Sequence, residues 1–489
     1  MNIGSPPEAA RSRRLMVVLC GCGVTVSLMH TLVGPLLPEI SRLMHLSQDS
    51  ASWLLTITML AGAVCAPVSG RLADMVGKRK MLVYSLALMT AGSLLGAVSW
   101  SFSSLLVARA LQGAAFGVLP LGISILKDSL PADRVVAGTA TMSSTLGVGG
   151  AIGMPLSGVI AQLLNWHAVF WAATGVSLVM LVLVLVFVPE STVRSGGRFD
   201  VLGSIGLATG LVCLLLAVSQ GSRWGWASPA TLGLLAGAVV VFAVWTVHQL
   251  RVRAPLVDLR TSARPVVALT NLATTLVGVG MFASFMLIPL QLQAPAATGH
   301  GFGVSVLVAG VCMVPMGLGM LLFSPLSARL SARRGAHVTL MCGALVMAVS
   351  NVCLALLPGS LVLLVPLLLV LSVGTALCFS AMPTLIMDWV PNTETASANS
   401  LNALLRTIGT STCAALGGTF LAAFTTTVDG NRVASSTGFV LTYWIAAAAS
   451  VAAAVLASLV AVAIRRAGRD AAAVTRLEDD GDAEVGLVA

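Results

Sequence analysis

The sequence predicts an all-α polytopic membrane protein: fourteen transmembrane helices, arranged as two six-helix pseudo-repeats with an inserted helical hairpin. Composition is the first reason. Of 489 residues, 57% are hydrophobic and only 9% charged, with mean hydropathy +0.97, whereas soluble domains carry about 25% charged residues. Periodicity is the second. Apolar runs of about 20 residues, enough to span a bilayer as a helix, recur along the whole chain. The alternating pattern of a membrane β-barrel is absent, which leaves helices. The third reason is that two short motifs repeat at nearly the same offset.

The runs start near Leu15, Trp53, Met81, Leu105, Thr139, Val169, Val201, Thr231, Val266, Val304, Val338, Leu361, Ala396 and Phe439. The first exceeds a signal-peptide apolar region and leads straight into further spans, so it is expected to stay in place. Between spans 2 and 3 lies Gly70-Arg-Leu-Ala-Asp-Met-Val-Gly-Lys-Arg-Lys-Met-Leu82. So short a loop forces an antiparallel helix pair. Gly70 and Gly77 permit close backbone approach and turn dihedrals there. Asp74 ends the preceding apolar run, where it is placed to bond with neighbouring helices. The nine cysteines fall mostly inside spans, as small buried hydrophobes. No metal-ligand spacing occurs, and no metal or cofactor is expected.

Lys and Arg set the orientation. Twenty-two of 27 lie in the termini and even-numbered loops, and three (Arg42, Arg223, Arg432) lie opposite. Arg109 and Arg406 fall inside spans. This asymmetry places both termini in the cytoplasm. It also accounts for the net charge of +9 without a nucleic-acid partner. Arg is used far more than Lys alongside abundant Ala, Gly, Val and Leu, which suggests a GC-rich bacterial genome. A bacterial inner-membrane location follows.

Gly70–Gly77 is echoed by Ala328-Arg-Leu-Ser-Ala-Arg-Arg-Gly335, 258 residues on, and Ile125-Leu-Lys-Asp-Ser-Leu-Pro131 by Leu385-Ile-Met-Asp-Trp-Val-Pro391, 260 residues on. Two plain six-helix halves would repeat after about 190 residues, so the excess is the length of one extra hairpin. The expected domains are 1–190, an inserted hairpin with linkers at 191–263, a second half at 264–464, and a disordered acidic tail at 465–489.

The Gly70–Leu82 loop resembles the signature loop of the major facilitator superfamily at every fixed position. Leu105-x-x-x-Arg109-x-x-Gln112-Gly113 and Asn165-Trp-His-Ala-Val-Phe170 resemble further motifs of the superfamily, and Arg198-Phe-Asp-Val-Leu-Gly203 and Leu290-Gln-Leu-Gln293 resemble its fourteen-helix drug:proton antiporter branch. The resemblance implies alternating access, proton-coupled efflux of amphipathic small molecules (drugs, antibiotics or secondary metabolites), no enzymatic activity and a monomer in the bilayer. A facilitator-type uptake permease and a transport-inactive sensor are the alternatives. No H-E-x-x-H or G-x-S-x-G constellation of an intramembrane enzyme occurs.

The signature residues are Gly70, Asp74, Gly77, Lys78 and Arg79. Helix 5 carries Gly149, Gly153, Pro155 and Gly158, which resemble the antiporter motif. Met154 stands where that motif has proline, and Ser157 where it has the first closing glycine. Helix 1 departs further: Met29 occupies the family's acidic position, and no carboxylate lies in a span core. His30 is the titratable group left there, with an ordinary pKa of about 6.5. An Arg in a span costs at least about 2.5–3.5 kcal/mol near the bilayer centre, so Arg109 and Arg406 should face the bundle interior. His30, Asp74, Arg109 and Arg406 are therefore the expected proton-coupling and conformational residues. Without a buried carboxylate the pocket should select cations weakly. Its expected lining is Gln112, Phe116, Met142, Phe285, Gln291 and Gln293.

Overall fold

The computed structural model describes residues 6–163, 165–357, 361–428 and 431–487. The first half comprises α1 (Pro6–Leu32), α2 (Gln48–Val76), α3 (Lys78–Ala97), α4 (Phe102–Ser129), α5 (Ala132–Leu163) and α6 (Trp166–Phe187). The hairpin is α7 (Val201–Trp224) and α8 (Pro229–Arg251). The second half comprises α9 (Pro265–Gln293), α10 (Leu307–Arg334), α11 (Ala336–Leu356), α12 (Leu361–Trp389), α13 (Thr395–Ala423) and α14 (Ser436–Leu487). Thirteen of these are long and apolar enough to cross a membrane. The fourteenth, α13, has the length but carries Asn399, Asn402, Arg406 and a run of Ser and Thr.

Local chemistry fixes the helix ends. Ser101, Asn165, Asp200, Ser228 and Ser305 each accept a backbone N–H from the first turn they precede. Pro229 and Pro265 stand in first turns, where a missing N–H costs nothing. A 3-10 turn at Ala115–Gly117 interrupts α4, and α10 breaks at Phe323 before Ser324 and Pro325. An antiparallel ribbon, β1 (Thr425–Val428) with β2 (Asn431–Ala434), joins α13 to α14. It is a small departure from the all-helical expectation. The helix of α14 also runs on to Leu487, through a tail expected to be disordered. No proline stops it there, and Ala, Arg, Leu and Glu are good helix formers.

Each half has its own apolar core. Leu19, Leu54, Leu82, Leu86, Trp166 and Phe170 belong to the first. Leu287, Leu340, Met347, Leu371, Met382 and Tyr443 belong to the second. The halves meet where α2 packs on α13 and α5 on α10. Glycine makes both seams possible. A Cβ on Gly70 would sit 2.7 Å from the Ala396 carbonyl, and one on Gly317 would collide with that of Gly147. The hairpin leans α7 against α2 and α13 through Leu207, Leu211 and Leu215, beside Ala63 and Leu404. α8 lies outermost, with Val239, Val240 and Val244 exposed. In water so wide an apolar surface would be a liability; in a bilayer it is the solvated face.

Candidate functional site

One end of the bundle carries most of the Lys and Arg, and there the halves are tied together. Asp74, at the end of α2, is fully buried. Its carboxylate accepts the backbone N–H of Ala396 at 3.1 Å and of Ser397 at 2.8 Å. Those amides belong to the first turn of α13, so a side chain of the first half caps a helix of the second. A carboxylate suits both the unpaired N–H groups and the positive helix end. The next residues reverse the chain. Gly77 has φ 130°, and a Cβ there would meet Glu190 Oε1 at 2.6 Å. This positive φ is one that L-residues rarely adopt.

Lys78 follows and is also fully buried. Its Nζ donates to Asp128 Oδ2 at 2.7 Å and to Thr395 Oγ1 at 2.9 Å, again across the halves. Asp128 also accepts the Ser191 hydroxyl at 2.6 Å. Lys127 Nζ donates to the Met387 carbonyl at 2.6 Å, joining α4 to α12. Arg79 turns outward: its backbone N–H goes to Glu190 and its Nη2 to the Leu185 carbonyl. These contacts tie the halves together at the basic end. Asp128, Thr395 and Lys127 were absent from the expected site. The signal for Asp128 was its place in the repeated Ile125–Pro131 motif.

Deeper in the first half, Arg109 is buried. Its Nε donates to the Leu54 carbonyl at 3.2 Å, and Nη1 donates to the Met29 carbonyl at 3.4 Å and to Gln112 Oε1 at 2.7 Å. Gln112 Nε2 in turn donates to Ser93 Oγ at 2.9 Å. One guanidinium thus braces α1, α2 and α4, and through Gln112 also α3. His30 lies next to Met29 on α1, half-buried. Its ring packs on Phe116 with centroids 3.8 Å apart. The ring nitrogens have no hydrogen-bond partner among the described residues.

In the second half Arg406 is half-buried, its guanidinium 4.6 Å above the Phe379 ring, a cation–π contact in place of an ion pair. Among the described residues no carboxylate pairs with it. Phe285 reaches towards the other half, beside Gly150 of α5.

The remaining pocket candidates divide. Phe116 and Phe285 are half-buried at interior faces. Gln112 is engaged by Arg109, and Met142 is fully buried against Gly122 and Gly23. Gln291 is buried, accepting the Tyr443 hydroxyl at 3.1 Å and donating to the His300 carbonyl at 3.3 Å. Gln293 is exposed at the end of α9 and donates to the Pro289 carbonyl. On α5, Gly149 and Gly153 take the close approach of α1 at Ser27 and Thr31, while Pro155 abuts Gly310 of α10. Gly158 lies further along α5, and its surroundings lie outside the described residues.

The class follows from this architecture: two helical halves joined by hydrogen bonds at one end, each holding an arginine deep within its spans, make a polytopic membrane transporter. The family model of the Major Facilitator Superfamily matches residues 19–199 and 270–481, and the chain belongs to that family. The unmatched segment between them contains the hairpin. The chain is 29% identical over 410 residues to the putative multidrug resistance protein MdtD of Salmonella paratyphi B, covering 81% of this chain and 84% of that one. It is 28% identical over 352 residues to the tetracenomycin C resistance and export protein of Streptomyces glaucescens, covering 71% and 64%. With the uncharacterized transporter YhcA of Bacillus subtilis it shares 24% identity over 352 residues, covering 72% of this chain and 65% of the relative. Among solved structures, the proton:xylose symporter XylE aligns with TM-score 0.65 at 14% identity, over 92% of this chain and 95% of that one. The human organic anion transporter MFSD10 aligns with TM-score 0.61 at 17% identity, over 92% and 100%. At these identities the two structures share the fold.

Proposed function

We propose that this protein exports amphipathic small molecules from a bacterial cell in exchange for protons, by alternating access. The carrying observation is the Asp74 cap on α13. It is a contact made wholly between the halves, at one end only of the bundle, and it must break for the cavity to open there. The charge asymmetry makes that end cytoplasmic, with both termini inside the cell and the described state closed to the cytoplasm. The names of MdtD and the tetracenomycin exporter support a drug or secondary-metabolite cargo. On this reading the domains are halves at 1–190 and 264–464, with the hairpin at 191–263 inserted between them.

His30 is the proposed proton carrier. Outside protons reach it in the outward-facing state, and the positive charge of Arg109 nearby favours their release inward. Substrate binds better when His30 is neutral, which couples the two fluxes. With Arg109 and Arg406 in the interior and no carboxylate beside them among the described residues, neutral and anionic aromatic compounds suit the cavity better than cations.

Everted membrane vesicles test the reading. With an imposed pH gradient, acid inside, an exporter accumulates a fluorescent amphipathic substrate, and collapse of the gradient releases it. Accumulation only in right-side-out vesicles would make the protein an uptake permease. Movement in neither orientation would make it a sensor.

A further inference from the structure

We propose that the groove between α1, α3 and α6 at the basic end binds an anionic phospholipid, its phosphodiester held by Arg11, Arg14 and Arg79. The groove is a cavity of about 560 Å³ lined by those three arginines and by Val186, Phe187 and Pro189, among others. That volume lies within the range of about 300–1,000 Å³ typical of small-molecule sites.

Its height in the bundle points to a lipid. The membrane-crossing stretch of α1 begins at Ala10 and that of α6 ends at Phe187. Arg79 is the second residue of α3. The three guanidinium groups therefore lie where hydrocarbon gives way to headgroups. Arg11 and Arg14 are three apart on one helix, so they share a face. Basic pockets between transmembrane helices at this level suit anionic headgroups.

Among the described residues the arginines of the groove outnumber the acids beside it. Glu190 is the acid beside it among the described residues, accepting the backbone N–H groups of Arg79 and Ser191. Three cations against one anion repel one another, and a bound phosphodiester relieves that repulsion. Arg79 is half fixed for the purpose. Its Nη2 donates to the Leu185 carbonyl at 2.5 Å, while its buried Nε has no partner among the described residues. Arginine presents a planar fork that matches phosphate oxygens.

The wall of the groove separates a lipid from a free anion. Val186 and Phe187 continue into the exposed apolar stripe of Val179 and Val182 on α6, beside the exposed Val17 of α1. A molecule with an anionic head and acyl chains satisfies both parts of this surface. Inorganic phosphate satisfies the arginines alone.

The test uses the full-length protein, purified in detergent and titrated with phosphatidylglycerol or phosphatidylcholine, with bound lipid counted by native mass spectrometry. The wild type should hold phosphatidylglycerol in clear preference to phosphatidylcholine. The double variant Arg11→Gln/Arg14→Gln should bind it about tenfold more weakly or worse, since each interfacial arginine contributes a several-fold factor. The control Arg465→Gln/Arg466→Gln, which removes two exposed charges from α14, should bind like the wild type. Millimolar inorganic phosphate should not displace the lipid. Equal retention of both lipids, or equal losses in the two double variants, would overturn the proposal. Displacement by phosphate would make the groove a free-anion site. A melting temperature equal to wild type separates lost lipid from lost fold.

Discussion

The carboxylate of Asp74 accepts the backbone N–H of Ser397 at 2.8 Å, although the two residues lie 323 positions apart and in opposite halves. Together with the N–H of Ala396, this makes a helix cap supplied by one half to the other. A helix cap contributes about 0.5–2 kcal/mol, a size that can bias a conformational equilibrium without freezing it.

Asp74→Asn keeps the shape and removes the charge. Folded protein should be recovered in normal yield, with transport reduced about tenfold as the proposed closed state loses the charge of the cap and one of its two acceptors. Substrate efflux from cells, normalised to membrane protein, reads this. Wild-type turnover by the folded variant refutes the role.

The Lys78–Asp128 pair is buried on both sides, at 1% and 8% side-chain exposure. Removing one partner strands the other charge, which costs about 3–5 kcal/mol. Lys78→Met should therefore lower the thermal unfolding midpoint in detergent strongly. Lys78→Met/Asp128→Leu should recover part of that loss. A single variant as stable as wild type would mean that water reaches the pair.

Glu394 sits in the turn before α13, and its pKa lies above the ordinary carboxyl range. Burial disfavours its charge and Asp258 repels it, while Arg71 and Arg264 pull the other way. The folded protein thus holds this proton more tightly than the unfolded chain. The resulting stability is complete below the unfolded value of about 4.3 and is lost as pH rises through the raised native value. Glu394→Gln should therefore melt higher than wild type at pH 7 and equally near pH 4. Partial exposure holds the gain below about 1 kcal/mol. A variant that melts lower at pH 7 would show that the two arginines dominate.

His30→Gln keeps hydrogen-bonding capacity but cannot carry a proton. In proteoliposomes it should bind substrate yet fail to drive uphill export from a pH gradient. Uphill export with wild-type pH dependence would place the carrier elsewhere, with Asp74 and Glu39 the next acids to test.

Orientation has its own measurement. Reporter fusions at Gly196 and Ser262 flank the hairpin, and both should read cytoplasmic. Opposite readings would mean an odd number of spans between them.

Much of this architecture is a consequence of sequence alone. Runs of about 20 apolar residues force helices because a bilayer offers the backbone no other partner. The signature loop could be read because glycine, aspartate and lysine are needed there for backbone reasons that leave fixed spacings. The buried arginines could be read because a charge in a span is costly wherever it points.

The neighbours of each side chain could not be read. In a soluble helix the buried face is apolar and the exposed face polar, so periodicity reveals which residues look inward. In a bilayer both faces are apolar, and that contrast is erased. Met142 and Gln112 therefore read from sequence as pocket residues, whereas packing puts one in the core and the other on Arg109. Gln291, two residues from the exposed Gln293, turns inward to Tyr443. Only the tertiary structure decided that Lys78 pairs with Asp128, and that Asp74 caps a helix 322 residues away. Sequence determined where the chain crosses the membrane; the meeting of the two halves determined which polar groups hold one another, because that depends on surfaces brought together only by folding.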